Sequence, residues 1–236
     1  MGMFLRRGTA PHRTRMYDLT IGNKIWLSLN GTPWEWRVVH QGLPSDIYDA
    51  SCNGTWLLLE KIYEARAWNS TGVNTYESSD IHSYLNDTFF GLFDSSIQSV
   101  IREARIPYRQ GGGTDGTDQS GANGLLTKIF LLSGREVRFT TSSKAYSYVD
   151  GACLDYFSGT AASDAKRVAY LNGTATIWWL RSPRADNTSR AITVNAVTSA
   201  TTIGSLGSAS ITRTGGVRPA IILESDFIVT DDMIVA

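Results

Sequence analysis

Cysteine is scarce in this sequence of 236 residues: there are two, Cys52 and Cys153, beside three histidines and six prolines. Two thiols about a hundred residues apart make no disulfide framework. A single bridge between them stays open, and a pair of small buried apolar residues is the plainer reading. No C-x-x-C and no Cys/His cluster occurs, which argues against structural zinc. Excess charge of one sign is also missing, since Lys+Arg and Asp+Glu are both 22. A general nucleic-acid binder carries a basic surplus, so nucleic acid is not an expected partner. No run of about 18 apolar residues is present, so no membrane insertion is expected. Residues 1–15 are basic but hold no apolar core for a secretory signal.

The short signatures of catalysis are lacking as well. There is no H-E-x-x-H, no G-x-S-x-G, no G-x-x-x-x-G-K-[ST] and no G-x-G-x-x-G opening a helix after a strand. Gly111-Gly112-Gly113 follows no buried strand and is poor support for a phosphate loop. Asp115 and Asp118 suggest calcium, but their spacing lacks the further acidic ligands of a calcium loop. Asp231-Asp232 near the C-terminus reads as solvated. No catalytic residue, metal ligand or cofactor is assigned, and the chain is not expected to be an enzyme.

What is present fits an ordered fold: hydrophobic residues make up 42% and charged residues 19%. An N-terminal arm over 1–16 is expected, then a single domain over 17–236. The arm, with Arg6, Arg7, Arg13 and Arg15 around Pro11, reads either as a flexible tail or as a contact to a second copy in a homo-oligomer. Two apolar runs around Asn30-Gly31 predict a β-hairpin, because Asn and Gly accept the positive φ of tight turns. Asn53-Gly54-Thr55 and Asn172-Gly173-Thr174 fit the glycosylation pattern but read as turns before the strands at Trp56–Glu60 and Thr176–Leu180. A helix is predicted after Ser79-Asp80, with Ile81, Tyr84, Leu85 and Thr88 on one face. A second follows Asp94, carries Ile97, Val100 and Ile101, and ends at Ile106-Pro107. A third, short one spans 163–170. Residues 110–124 are nearly all small and polar, and predict a flexible surface loop. Most of the seven tryptophans fall in strand-like runs and belong in a core, although ring stacking on a carbohydrate is a second use for such residues. Pro219 sets the start of a strand over 217–223 at an edge or bulge. The sum is an α+β fold, a twisted and mainly antiparallel sheet with two helices and long irregular loops.

Composition changes after Pro183. From Arg184 to Gly216 there is no aromatic residue and no Lys, Glu, Gln or Met, while Ser and Thr fill twelve positions. On either side stand Trp178-Trp179-Leu180-Arg181-Ser182-Pro183 and Gly216-Val217-Arg218-Pro219-Ala220-Ile221-Ile222-Leu223. This constellation resembles C-type-lectin-like domains, relatives of the formylglycine-generating-enzyme fold. Trp36-Arg37-Val38-Val39, the stretch from Tyr76 through Ile81 to Phe89, and the stretch from Ile129 to Val137 fit the same family in the same order. The likeness covers nearly all of the chain after Tyr17. Within that group the chain looks most like the variable proteins of diversity-generating retroelements, found on phage tails and cell surfaces.

The resemblance implies a ligand-binding or receptor-binding protein with a hypervariable segment at about 184–213. Its partner would be a protein or glycan receptor on a cell surface, and its location a virion or a cell surface. The calcium and sugar signatures of animal C-type lectins are missing, and no close cysteine pair matches the formylglycine-generating enzymes, so neither activity is carried over. Alternation then places Arg184, Asp186, Arg190, Ile192, Thr193, Asn195, Thr198, Ser199, Thr201 and Thr202 on the binding face. Ser205, Ser208, Ser210, Thr212 and Arg213 come next, with Ala191 and Val194 facing inward. Trp178, Trp179, Leu180, Val217, Ile221 and Leu223 are expected as framework. Arg181 and Arg218 are expected to be partly buried, their planar donor forks tied to carbonyls or carboxylates of the loops between them. Two other functions stay open: a structural virion or surface protein without a ligand, and an enzyme of the formylglycine-generating type with a reactive thiol.

Overall fold

Asn30 and Gly31 take φ angles of 51° and 75°, so the chain reverses in two residues. The turn joins strands Lys24–Leu29 and Thr32–Gly42, with Leu29 opposite Thr32 and Ile25 opposite Trp36. This computed structural model describes residues 13–140, 146–159, 163–196 and 203–235. The hairpin is one end of a five-stranded sheet that continues through Gly54–Leu59 and Pro219–Leu223 to Ile129–Leu131. A second five-stranded sheet runs Leu206–Ser210, Arg190–Val194, Trp178–Pro183, Thr214–Val217, Glu64–Ala67. Its pairings are antiparallel except at Trp178 opposite Gly216, which is parallel. The protein is therefore mixed α+β, with mostly antiparallel sheets and a few short helices.

Two hydrophobic clusters explain why the central strands are apolar without interruption. Leu57, Leu59, Ile221, Leu223, Trp179 and Val217 enter one cluster. Trp56, Leu58, Ile222, Trp178 and Leu180, their neighbours in sequence, enter the other. A strand covered on both faces shows no apolar–polar alternation. Trp36, Trp56, Trp68, Trp178 and Trp179 are all sealed from solvent, while Trp26 and Trp34 are half-buried.

Several elements differ from the sequence-based expectation. The first helical segment is α over Asp80–Ser83, π over Tyr84–Phe89 and 3₁₀ over Phe90–Leu92, and the Ser79 hydroxyl accepts from the His82 amide at 3.3 Å as its cap. The wider π winding puts Phe89 into the core below Ile81 and Leu85, and leaves Thr88 exposed. The second helix covers only Ser95–Gln98, well before Pro107, and Ala104–Ile106 is a strand paired with Leu125–Thr127. The third covers Ser163–Arg167. Asn172-Gly173 forms the expected turn, at φ 50° and 81°. Gly54 does not: it opens a strand, where an added Cβ would stand 2.5 Å from the Leu223 carbonyl.

Residues 110–124 are not an open loop. Tyr108–Gln110 pairs with Thr117–Gln119, and Gly112 and Gly113 are buried. Pro219 opens its strand opposite Leu131, whose amide donates to the Tyr76 hydroxyl and whose carbonyl accepts from Arg181, so no proline donor is needed. Residues 1–12 of the expected arm lie outside the described residues. Arg13–Arg15 pairs with Ile228–Thr230 and Met16 is buried, so the last part of that arm belongs to the domain. No described helix is long and apolar enough to cross a membrane. Cys52 is buried and Cys153 exposed, and both are free.

Candidate functional site

The two strands that begin and end the Ser/Thr-rich segment are fixed from beneath by arginine. The side chain of Arg181, 1% exposed, uses its whole donor fork. Nε donates to the Pro107 carbonyl at 3.0 Å and Nη1 to the Leu131 carbonyl at 3.0 Å. Nη1 and Nη2 each meet a Glu136 oxygen at 2.6 Å, and Nη2 reaches the Asp150 carbonyl at 2.8 Å. Burial alone would lower the Arg181 pKa, but the Glu136 carboxylate outweighs it and the net shift is upward. Around this pair, the Tyr48 hydroxyl donates to Glu136, while the Ser182 and Tyr146 hydroxyls donate to Asp150. Arg218 is equally buried, at 2%. Its Nε donates to the Leu59 carbonyl at 2.8 Å and its guanidinium lies 5.0 Å from the Trp178 ring centre.

Asn74, with no solvent exposure, holds the first loop of the segment. Its side-chain amide donates to the carbonyls of Arg184 at 3.0 Å, Asn187 at 3.1 Å and Arg190 at 2.5 Å. Its backbone amide donates to the Thr188 carbonyl at 2.8 Å, and its Oδ1 accepts from the Gly113 amide at 2.7 Å. Gly112 and Gly113, at φ 63° and 35°, let that backbone come close; a Cβ on Gly112 would collide with Asn74. The glycine run therefore serves close approach. Asn74 carried no signal in the sequence, because a lone Asn between Val73 and Thr75 looks like any loop residue.

Two further points of the segment are tied to residues outside it, at Ile211 and at Gly204. The Ile211 carbonyl accepts from the Trp68 and Asn69 amides, and its amide donates to Ser189. Arg167 is buried and donates to the Gly204 carbonyl at 2.6 Å and the Val137 carbonyl at 3.0 Å.

Above this base nine of the fifteen predicted side chains form a polar rim. Arg184 Nε donates to Asp186 Oδ1 at 2.5 Å, and Arg184 Nη1 donates to the Ser208 hydroxyl at 3.0 Å. Arg190 donates to the Ser208 hydroxyl at 3.2 Å and to its carbonyl at 2.5 Å. The Arg184 hydrogen bond holds the Asp186 carboxyl below its ordinary range. Asn195, Ser205, Ser208 and Ser210 are half-exposed, while Asp186, Thr212 and Arg213 are exposed. Asn195 Nδ2 donates to the Ser205 hydroxyl at 3.2 Å, and Ser210 and Thr212 hydroxyls lie 3.0 Å apart.

Two predicted contact residues are misplaced. Ile192 and Thr193 are 1% and 2% exposed. Their strand lies between Trp178–Pro183 and Leu206–Ser210 and is covered on both faces, so Ala191 and Val194 point inward without turning their neighbours outward. Thr198, Ser199, Thr201 and Thr202 lie outside the described residues. The framework residues Trp178, Trp179, Leu180, Val217, Ile221 and Leu223 are all fully buried, as expected. Among the described residues, no cluster of three or more His, Cys, Asp or Glu could hold a metal. Asp118 pairs with Arg109 at 3.0 Å and its other oxygen accepts from the Val149 amide. Burial pushes the Cys52 thiol up to about 12, against thiolate chemistry there.

No curated protein and no solved structure matches this chain. One family does, a domain of unknown function, over residues 53–225. That stretch takes in three strands of the first sheet, all of the second sheet, Asn74, both buried arginines and the whole rim, and the chain belongs to this family, DUF6273.

Proposed function

We propose that the protein binds a macromolecular ligand through the rim formed by residues 184–190, the Ser208–Ser210 edge and residues 211–213. The scaffold would be of the C-type-lectin-like kind seen in variable proteins of diversity-generating retroelements. The observation that carries this reading is the Asn74 clamp: three carbonyls of the 184–190 loop are held by a residue outside it. The loop's shape then owes little to its own exposed side chains. These can change at small cost in stability, since exposed substitutions stay within about 0.5 kcal/mol.

A shallow rim on an edge strand suits a protein or glycan surface better than an enclosed small molecule. Arg184, Arg190 and Arg213 are its anchors, because Ser and Thr seldom carry binding energy. The partner is a receptor on a cell surface and the protein a recognition module on a virion or cell. Binding is favoured over catalysis by the absence of any nucleophile–base pair on this rim among the described residues.

A library randomised at Asp186, Ser208, Ser210, Thr212 and Arg213 tests the reading. Panned against purified bacterial surface proteins and polysaccharides, most members should fold and some should enrich. Widespread unfolding, or no enrichment from a folded library, would reject it.

A further inference from the structure

A groove of about 360 Å³ lies apart from the rim: none of its lining residues falls between Arg184 and Arg213. It is bounded by the outer end of the first hairpin, the loop after Gly54–Leu59, and the Asn172-Gly173 turn. Trp26, Trp34, Tyr63 and Tyr170 line it with Glu35 and Glu60. Tyr170 is 48% exposed and the other three rings are half-buried. Trp34 and Tyr63 support each other, with ring centres 5.1 Å apart. Four aromatic rings reaching solvent at one place contrast with five tryptophans elsewhere that are sealed.

The polar groups narrow the choice of ligand. Glu35 pairs with Lys24 at 2.9 Å, and both oxygens of Glu60 pair with Arg37. Each carboxylate is neutralised from its far side, so the groove has little net charge to attract a cation. The oxygens keep lone pairs, since a carboxylate offers about four acceptor sites. Lys61 and Asn172 at the margin add donors. The site thus asks for a neutral ligand with many hydroxyl donors and with flat apolar faces to lie on the rings. A proline-rich peptide also docks on aromatic grooves. It brings carbonyl acceptors and almost no donors, so it would leave Glu35 and Glu60 facing acceptors. A sugar ring meets both demands, and the volume is within the range of small-ligand sites.

We propose that this groove is a second, fixed binding site for a neutral oligosaccharide, separate from the rim. The inference does not depend on what the rim binds. Trp26 and Trp34 are the only tryptophans not sealed in the core, so ligand-induced change in tryptophan emission reports on this groove.

The full chain should be titrated with cellohexaose, xylohexaose, mannohexaose and chitohexaose at up to millimolar concentration, by fluorescence and by calorimetry. At least one should bind. Trp26→Ala and Tyr170→Ala should each weaken it tenfold or more without lowering the melting temperature, whereas Thr212→Ala on the rim should not change it. Tyr170 is 48% exposed on the short strand Tyr170–Leu171, so its variant keeps the test valid should Trp26→Ala misfold. No binding by any of the four sugars, unchanged binding in Tyr170→Ala, or binding of decaproline in their place would overturn the proposal.

Discussion

Arg181 and Arg218 flank the same segment at the same depth, yet they are buried on opposite terms. Arg181 meets a carboxylate squarely and joins four separate places in the chain, at Pro107, Leu131, Glu136 and Asp150. Arg218 has one carbonyl and one aromatic face, and its Nη1 has no hydrogen-bond partner among the described residues. Burial pulls its pKa down to about 10. The contrast teaches that a guanidinium can serve as a tie or as packing. Arg181 fixes irregular backbone by saturating its donors. Arg218 sits where the chain crosses from one sheet to the other and fills space over Trp178 with a flat cation.

Substitution by methionine separates the two roles. Arg181→Met leaves Glu136 buried without its partner and should cost about 3–5 kcal/mol in urea unfolding. A cost under 1 kcal/mol would show that the tie contributes little. The neighbouring Asp150 sharpens this by pH. Burial raises its pKa above the ordinary 3.8, so the folded state favours the proton. That contribution is full below 3.8 and is lost as pH rises through the raised folded value. Asp150→Asn cannot ionise, so its stability relative to the parent should climb with pH across that range. A flat difference between acid and neutral pH would contradict it.

Asn74→Ala should come next in size. It strips the side-chain donors from three carbonyls of the 184–190 loop, at about 1–3 kcal/mol for buried groups left unsatisfied. Amide exchange at Ser189 and Arg190 should speed up more than exchange in the Gly54–Leu59 strand. Uniform change across the protein would mean that Asn74 supports the core and not the loop. Arg218→Met should cost less, within about 1 kcal/mol, because a poorly compensated buried charge is removed along with one hydrogen bond.

How far the sequence reached follows the same division. Strands and the burial of Arg181 are legible where chemistry is local or extreme, whereas its partners are not: they are expected in the loops of the Ser/Thr-rich segment and lie instead at Pro107, Leu131, Glu136 and Asp150. Asn30-Gly31 dictates a two-residue turn by its φ angles, and Trp-Trp-Leu beside an arginine has few exposed homes. The second helix is shorter than its pattern predicts, because Ile101, at helical spacing from Ile97, serves equally well in a bridge, and Ile106 before Pro107 in a strand. Residues 110–124 look like an open loop because small polar residues give no hint that Asn74 packs against a buried Gly112 and Gly113. Ile192 and Thr193 escape the alternation rule because it presumes one wet face, and tertiary packing covers both. The groove at Trp26 was illegible for a related reason: its walls come from three stretches far apart in the chain.

The smallest expected effects lie on the rim, and they test the comparison from its other end. If buried groups hold the backbone, exposed side chains should be thermodynamically silent. Thr212 and Arg213 are exposed on a turn whose shape is set by the Ile211 carbonyl and the Trp68 and Asn69 amides. Thr212→Tyr and Arg213→Tyr should therefore each shift stability by no more than about 0.5 kcal/mol. Thr193→Tyr, placed in the covered strand two residues beyond Ala191, should cost about 1–3 kcal/mol by overpacking. Equal costs at Thr193 and Thr212 would mean that the rim is held by its own side chains, and the division between tie and display would fail.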